Sequence, residues 1–220
     1  MTSLSGPSPR AAGLRRDAAA NRARILDVAP LLIAQRGLDL SFHELARRAG
    51  VGVATVYRNF PTTDDLVRAL YDTLYQRLAL IEPAVREAPD GWSGIEAYVD
   101  GVAAVLAERP DGPRVMERMR ELDPAYRPAD AMRAPMAAMA ARAHAEGTLR
   151  EDVTAADIAL LPFGLTSVLR FPEPEGAVIL RRQRHILLEG LRAGDRRPMP
   201  GSAPSVDDID AATHHQHPAR

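Results

Sequence analysis

An all-α fold is predicted for this chain of 220 residues, and three observations predict it. Apolar residues recur every three or four positions through most of the sequence. No alternating apolar and polar run is strong enough to compete as a strand. Ser or Thr followed three residues later by Glu or Asp, the signature of a capped helix start, stands at Ser41, Thr62 and Thr154. About nine helices follow from these patterns, as a small N-terminal bundle and a larger C-terminal helical domain. With 46% apolar and 26% charged residues, the composition is that of an ordinary soluble protein able to bury a core.

Residues 1–16, rich in Ser, Pro, Gly and Ala, are read as a disordered arm. The first helix is expected from Asp17, with Ile25, Leu26, Ala29, Leu32 and Ile33 as its apolar stripe and Gly37 at its end. Pro30 lies inside it, removes the bond from its own nitrogen to the Leu26 carbonyl, and predicts a kink. Ser41 with Glu44 reads as a capping box opening a short helix over 42–49. Gly50 supplies the positive φ that turns the chain out of it, and Val51 and Gly52 complete the turn. A third run, 53–60, must stop before Pro61, and Thr62 with Asp65 caps a fourth helix striped by Leu66, Leu70, Leu74, Leu78 and Ile81.

Past Pro83 helices are expected over 92–109 and 114–122, separated by Pro110-Asp111-Gly112-Pro113. Another covers 129–146, with Pro135 near its start and Gly147 at its end. Thr154 and Asp157 cap a helix over 154–171 that contains Pro162, and the last runs over 174–192 and stops at Gly194. Residues 194–220 turn to Pro, Ser, Asp and His and are read as a disordered tail.

Two short helices joined by a turn of three or four residues form a helix-turn-helix, here over 41–60, whose second helix can enter a DNA major groove. Leu45, Ala49, Val51 and Val56 are spaced to face inward, Ala46 is small where the helices approach, and Phe60 belongs to the core. Polar residues are left on the outer face. Charge agrees with this: residues 10–60 carry nine Arg against four acids, a net of +5, while the whole chain is −1. Such asymmetry is expected of a nucleic-acid-binding head, 17–66, on a body, 67–193, with another task.

The stretch from Asn21 to Leu66, "NRARILDVAPLLIAQRGLDLSFHELARRAGVGVATVYRNFPTTDDL", resembles the N-terminal signature of the TetR family of bacterial transcription regulators. The "RG" end of the first helix, the "LARRAGV" helix and turn, the "TVYRNF" recognition helix and the capped acidic start of the fourth helix all agree in register. The C-terminal half is only loosely similar. The resemblance implies that Val53, Ala54 and Thr55 meet base edges, Thr55 by its hydroxyl or methyl. It implies that Tyr57 and Asn59 grip phosphates, as Ser41 and Thr62 do at helix starts. Arg47, Arg48 and Arg58 supply charge, and Arg15 and Arg16 could add backbone or minor-groove contacts. Tyr57 also has a reading as a core tyrosine, and Arg47 and Arg48 as solvated charges. Where members commonly carry a lysine this chain has Thr63, and it has no lysine anywhere.

For the body the resemblance implies a ligand pocket and a homodimer interface built from the last two helices, about 154–171 and 174–192. Ile158, Leu161, Leu165, Leu169, Ile186, Leu187 and Leu191 are candidates for a shared core. Trp92, Tyr98, Met116, Met119, Met132, Met136, Met139 and Phe163 are candidate pocket walls, with His144 and Arg170 as candidate polar anchors. The expected partners are a double-stranded DNA operator and a small-molecule effector, and ligand-responsive repression is the expected output.

No phosphate-binding Gly-rich loop, HExxH or nucleophile elbow is present, so no enzyme, cofactor or metal is expected. Cysteine is absent, which excludes disulfides and thiolate metal sites. The "HHQH" run at 214–217 reads as a solvated tract. Without an apolar membrane span or signal core, the protein is expected in the cytoplasm. The alternative is a helical protein-interaction module that keeps the helix-turn-helix shape without specific DNA binding.

Overall fold

The computed structural model describes residues 9–123, 130–165, 168, 171, 174–195, 197–205 and 208. Among the described residues the fold is helical: α1 (Pro9–Arg36), α2 (Phe42–Ala49), α3 (Val53–Asn59), α4 (Thr63–Ala79), α5 (Glu82–Arg86), α6 (Gly91–Glu108), α7 (Gly112–Leu122), α8 (Asp130–Ala145), α9 (Ala155–Leu165) and α10 (Glu175–Leu191). The extended pairing among these residues is one isolated bridge, Leu149 to Arg192. No described helix is long and apolar enough to cross a membrane.

The first helix starts at Pro9 rather than Asp17. The Ala- and Arg-rich residues after Pro9 are strong helix formers. The helix then continues through Pro30 to Arg36, and Gly37 N donates to the Ile33 carbonyl at 2.8 Å.

The chain divides into two compact units, residues up to Asp72 with Pro110–Leu122, and Thr73–Arg109 with the residues from Asp123. The division falls inside α4, and the first unit takes in α7, which sequence reading placed in the body. Burial gives the reason: Val115 and Met119 of α7 are buried in one core with Ile25, Leu32, Ile33, Leu45, Val56, Phe60, Leu66 and Leu70. Polar anchors agree. Arg114 Nη1 donates to the Ile33 carbonyl at 2.5 Å, and Arg118 forks onto Asp64 with distances of 3.0 and 3.1 Å. Glu121 and Asp64 together hold the Arg118 guanidinium more firmly protonated than usual.

In the second unit α6 packs against α5, α8 and α9, and α10 lies on α9. Trp92, Ile95, Tyr98, Val99, Met136, Met139, Ile158, Leu165, Leu188 and Leu191 share its core. Gly91 is obligatory there, because a Cβ would stand 2.6 Å from Ala143 Cα of α8. Its amide donates to Glu146 Oε2 at 2.7 Å. Arg184 of α10 bonds Asp100 of α6 at 2.5 and 2.8 Å.

Within the tail read as disordered over 194–220, Arg197, Met199 and Pro204 are hydrogen-bonded to the segment 150–154. Arg150 Nη2 donates to the Arg197 carbonyl, Met199 N to Asp152 Oδ2, and Thr154 Oγ1 to the Pro204 carbonyl. The segment 150–154 supplies these partners and itself joins two helices, Arg150 N donating to the Leu191 carbonyl of α10 at 3.0 Å and the Thr154 carbonyl accepting from Ile158 N of α9 at 3.2 Å. Leu169 and Arg170, like residues 1–8 of the arm and 214–217 of the tail, lie outside the described residues.

Candidate nucleic-acid interface

Three helix starts and one turn build the outer face of the first unit. Ser41 has extended backbone, and its Oγ accepts from His43 N at 3.3 Å. The reciprocal half of the expected box is not made. Glu44 instead turns its carboxylate toward three guanidinium groups, of Arg36, Arg47 and Arg48, at 3.9, 3.7 and 3.8 Å. Arg36 comes from α1, so the start of α2 carries a long-range charge contact beside its local Ser41 cap. At the other end Gly50 takes φ 64°, its N–H donates to Arg47 O, and Val51 N reaches Ala46 O at 3.0 Å. That is a Schellman ending, which needs the left-handed residue glycine supplies. It sends the chain into α3 at once.

Helix α3 presents one face to solvent and buries the other. Val56 and Phe60 are buried while Ala54, Tyr57 and Arg58 are exposed, and Val53, Thr55 and Asn59 are partly so. Gly52 begins the helix without a side-chain cap. Arg58 folds back along α3, donating to the Ala54 carbonyl at 3.2 Å and to Thr55 Oγ1 at 3.1 Å. Asn59 Nδ2 donates to the Thr55 carbonyl at 2.8 Å. Thr55 is thereby bracketed by two polar side chains from the next turn. Tyr57 is not a core tyrosine: it is 49% exposed and leans its ring on Phe42, centroids 5.1 Å apart.

The box at the start of α4 closes fully. Thr62 N and Oγ1 donate to Asp65 Oδ2 at 3.0 and 2.7 Å, and Asp65 N donates back to Thr62 Oγ1 at 3.2 Å. A groove of about 330 Å³ lies here, lined in part by Ser41, Phe42, His43, Tyr57, Thr62 and Thr63. The structure thus brings Ser41, Tyr57 and Thr62 to one place, although they come from three helix ends. Arg47 and Arg48 are exposed and joined to Glu44 instead. His43 is an addition that sequence reasoning missed. Its signal was its place in the first turn after the Ser41 cap.

Arg22 is a second addition. Its Nη1 is 3.5 Å from the Asn59 carbonyl and its guanidinium carbon 4.5 Å from the centre of the Phe60 ring, so α1 is held against the C-terminal end of α3. The charged "NRAR" run by itself suggests only general basicity.

The expected pocket walls of the body separate. Trp92, Tyr98, Met136 and Met139 are buried together in the body core, with Met132 packed against it. Met119 belongs to the core of the other unit, and Met116 stands on the same helix, α7. Phe163 is 40% exposed and is not a core wall. Burial pushes the Tyr98 phenol up to about 12, and its hydroxyl is 3.5 Å from the Ala159 carbonyl. Trp92 Nε1 is buried with no hydrogen-bond partner, while Arg192 lies 3.8 Å over the indole ring. A separate groove of about 550 Å³ is lined by His144, Leu149, Arg150, Asp152, Ala193 and Pro198 among others. Apart from the candidate anchor His144, it contains none of the expected pocket residues.

The two last helices also differ from the expected shared core. Ile158, Leu165 and Leu191 are buried inside the subunit, and Leu161 and Leu187 pack against that same core. The apolar side chains left exposed on or beside these helices are Leu160, Phe163, Phe171, Val178 and Ile186. No cluster of three His, Cys, Asp or Glu that could hold a metal occurs among the described residues.

Residues 25–70 match the family model described as bacterial regulatory proteins, tetR family. No curated protein sequence matches the chain significantly. Among solved structures it is similar to a TetR transcription regulatory protein from Mycobacterium vanbaalenii, at 28% identity over 82% of this chain and 99% of that one, TM-score 0.55. It is similar to a TetR transcriptional regulator from Streptomyces coelicolor, at 25% identity over 78% and 98%, TM-score 0.55. A ketosteroid transcriptional regulator of Mycobacterium tuberculosis shares the fold at 17% identity, over 79% and 95%, TM-score 0.59.

Proposed function

We infer that this chain, a TetR-family regulator by its head and its all-helical fold, is a ligand-responsive repressor that binds a palindromic operator as a homodimer. The observation that carries the reading is the meeting of Ser41, Tyr57 and Thr62 at one groove beside the exposed face of α3. Hydroxyl groups and helix-start amides suit phosphate oxygens, and they would set α3 in the major groove with Ala54 and Thr55 toward base edges. Arg58 then lies next to Thr55, able to release its intramolecular bonds for a guanine edge or a phosphate.

Two heads are needed because one covers a single half-site. The exposed apolar residues Leu160, Phe163, Phe171, Val178 and Ile186 support dimerisation through the region of α9 and α10. Ile186→Glu, at a site 55% exposed in the single chain, should convert a dimer to a monomer in light scattering without unfolding it. In the body, the unpartnered indole N–H of Trp92 is a donor an effector could engage. Helix α4 carries residues of both units, so a ligand favouring one body conformation would bias the head through continuous backbone.

The direct test is anisotropy binding to DNA from upstream of the protein's own coding region, against random competitor, with candidate effectors added. Tight binding that resists the competitor and is released by one effector is the expected result. Equal weak binding to every sequence would refute operator recognition, and affinity blind to all effectors would refute ligand control.

A further inference from the structure

The groove lined by Ser41, Tyr57, Thr62 and Thr63 offers hydroxyl groups to a phosphate, and hydroxyl groups bring no charge. The arginines of α2 and α3 are engaged by other groups. Arg47 and Arg48 face the Glu44 carboxylate, and Arg58 is bonded to the Ala54 carbonyl and the Thr55 hydroxyl of its own helix. The chain has no lysine. Among the described residues that line the groove, His43 alone has a side chain able to become a cation. Its backbone amide serves the Ser41 cap, whereas its exposed imidazole ring bonds to no described residue.

Imidazole is the side chain that ordinarily gains its proton between about pH 8 and 5. A phosphate oxygen beside the ring favours the charged form, so a complex made there takes up a proton. The charged groups of the surrounding elements leave that role to His43. On α2 Glu44 and Arg47 face each other, and Arg36 of α1 is turned to the same carboxylate. Asp39 lies exposed in the loop before Ser41. On α3 the groups are Arg58, bonded along its own helix, and the Tyr57 phenol. On α4 Asp65 closes onto Thr62, and Asp64 takes the fork of Arg118 from α7. The acids repel a phosphate, and the arginines reach one only by giving up the bonds they hold.

We propose that His43 is the cationic phosphate ligand of this groove, and that its protonation makes DNA affinity rise as pH falls from about 8 to about 5.5. This role rests on the DNA-binding reading above and adds to it a hold on the backbone graded by pH. The contact is independent of base sequence, so every duplex feels it.

The test uses the full chain and a random-sequence duplex, titrated by anisotropy at about pH 5.5 and about pH 8, between about 0.05 and 0.3 M salt. One imidazolium displaces one counterion from the DNA. The log–log slope of affinity against salt should therefore be steeper at the lower pH by about 0.9 per head, and affinity at about 0.1 M salt about eightfold higher per head. His43→Gln stays polar but cannot gain the proton, and should show the shallow slope and the weaker affinity at both pH values. His43→Arg is charged throughout and should show the steeper slope at both. Both variants should melt close to the wild type, because the site is exposed. A wild-type slope that is the same at both pH values overturns the role of His43 while DNA binding stands, and so does a pH dependence that survives in His43→Gln. Failure of the wild type to bind any duplex at either pH overturns the DNA-binding reading itself, and the role of His43 with it.

Discussion

Tyr57→Phe isolates one oxygen atom. The ring leans on Phe42 at 5.1 Å and is 49% exposed, so the substitution keeps the packing and removes only a hydroxyl from the residues lining the groove with Ser41 and Thr62. No partner of that hydroxyl supports the fold, and stability should change by less than about 0.5 kcal/mol. In a complex the lost bond to a charged phosphate is worth about 1.4 kcal/mol per head, a factor of about ten. Two heads on one operator give about 3 kcal/mol, or about a hundredfold weaker binding. The slope of affinity against salt should not move, because a neutral hydroxyl releases no counterion. Anisotropy titration at several salt concentrations, paired with thermal unfolding by circular dichroism, reads all three quantities. Affinity within about twofold of wild type would refute the phosphate-ligand role. A fall in melting temperature matching the fall in affinity would show instead that Tyr57 holds the fold.

Three other perturbations test the local physics. Glu44→Gln removes the carboxylate that faces Arg36, Arg47 and Arg48; exposed pairs of this kind are worth about 0.2–1 kcal/mol each, so stability should fall slightly while duplex affinity rises and its salt slope steepens. Reduced affinity would mean that Glu44 positions these arginines. Gly91→Ala places a methyl 2.6 Å from Ala143 Cα and 2.9 Å from its Cβ, and should cost about 1–3 kcal/mol in urea unfolding. Gly190→Ala, with nothing within 4 Å, should add about 0.5–1 kcal/mol, and the two must differ in sign. The Asp152 carboxyl is held well below its ordinary range by Arg150 first and by the Met199 amide next. Its contribution is therefore present above the unfolded value of about 3.9 and is lost as pH falls below it toward the depressed folded value. Hydrogen exchange at the Met199 amide should be faster in Asp152→Asn at neutral pH, and unchanged exchange would show that the tail is held by other contacts.

Much of the head was legible because its signals are local. Thr62 with Asp65 and Thr154 with Asp157 both form the boxes their spacing predicts, since every participant lies within four residues. Gly50 turns left-handed for the same reason. Ser41 with Glu44 has the same spacing and a different outcome. Arg36 approaches from another helix and, with Arg47 and Arg48, offers Glu44 three cations in place of one backbone amide. Ser41 and Thr62 could be nominated from helix starts, and Tyr57 from the family resemblance. Their meeting around Tyr57, with His43 among them, depends on how α2, α3 and α4 pack.

The body was less legible. An apolar stripe says that a helix buries one face and is silent on which core receives it. Met119 and Val115 carry such a stripe on α7, and they fill the core of Ile25, Leu45 and Phe60 rather than that of Trp92 and Tyr98. Ile158 and Leu191 looked free to serve a partner, yet their own subunit buries them and leaves Phe163 and Ile186 outside. By itself the sequence determined the helical class, the helix-turn-helix and the basic character of the head, because periodicity, caps and charge act within a few residues of each other. Only the tertiary structure decided which core owns α7, which cations meet Glu44, where the tail is held and which apolar side chains face outward. Those outcomes depend on competition among residues far apart in the chain, whose result is settled by packing volume and desolvation rather than by local pattern.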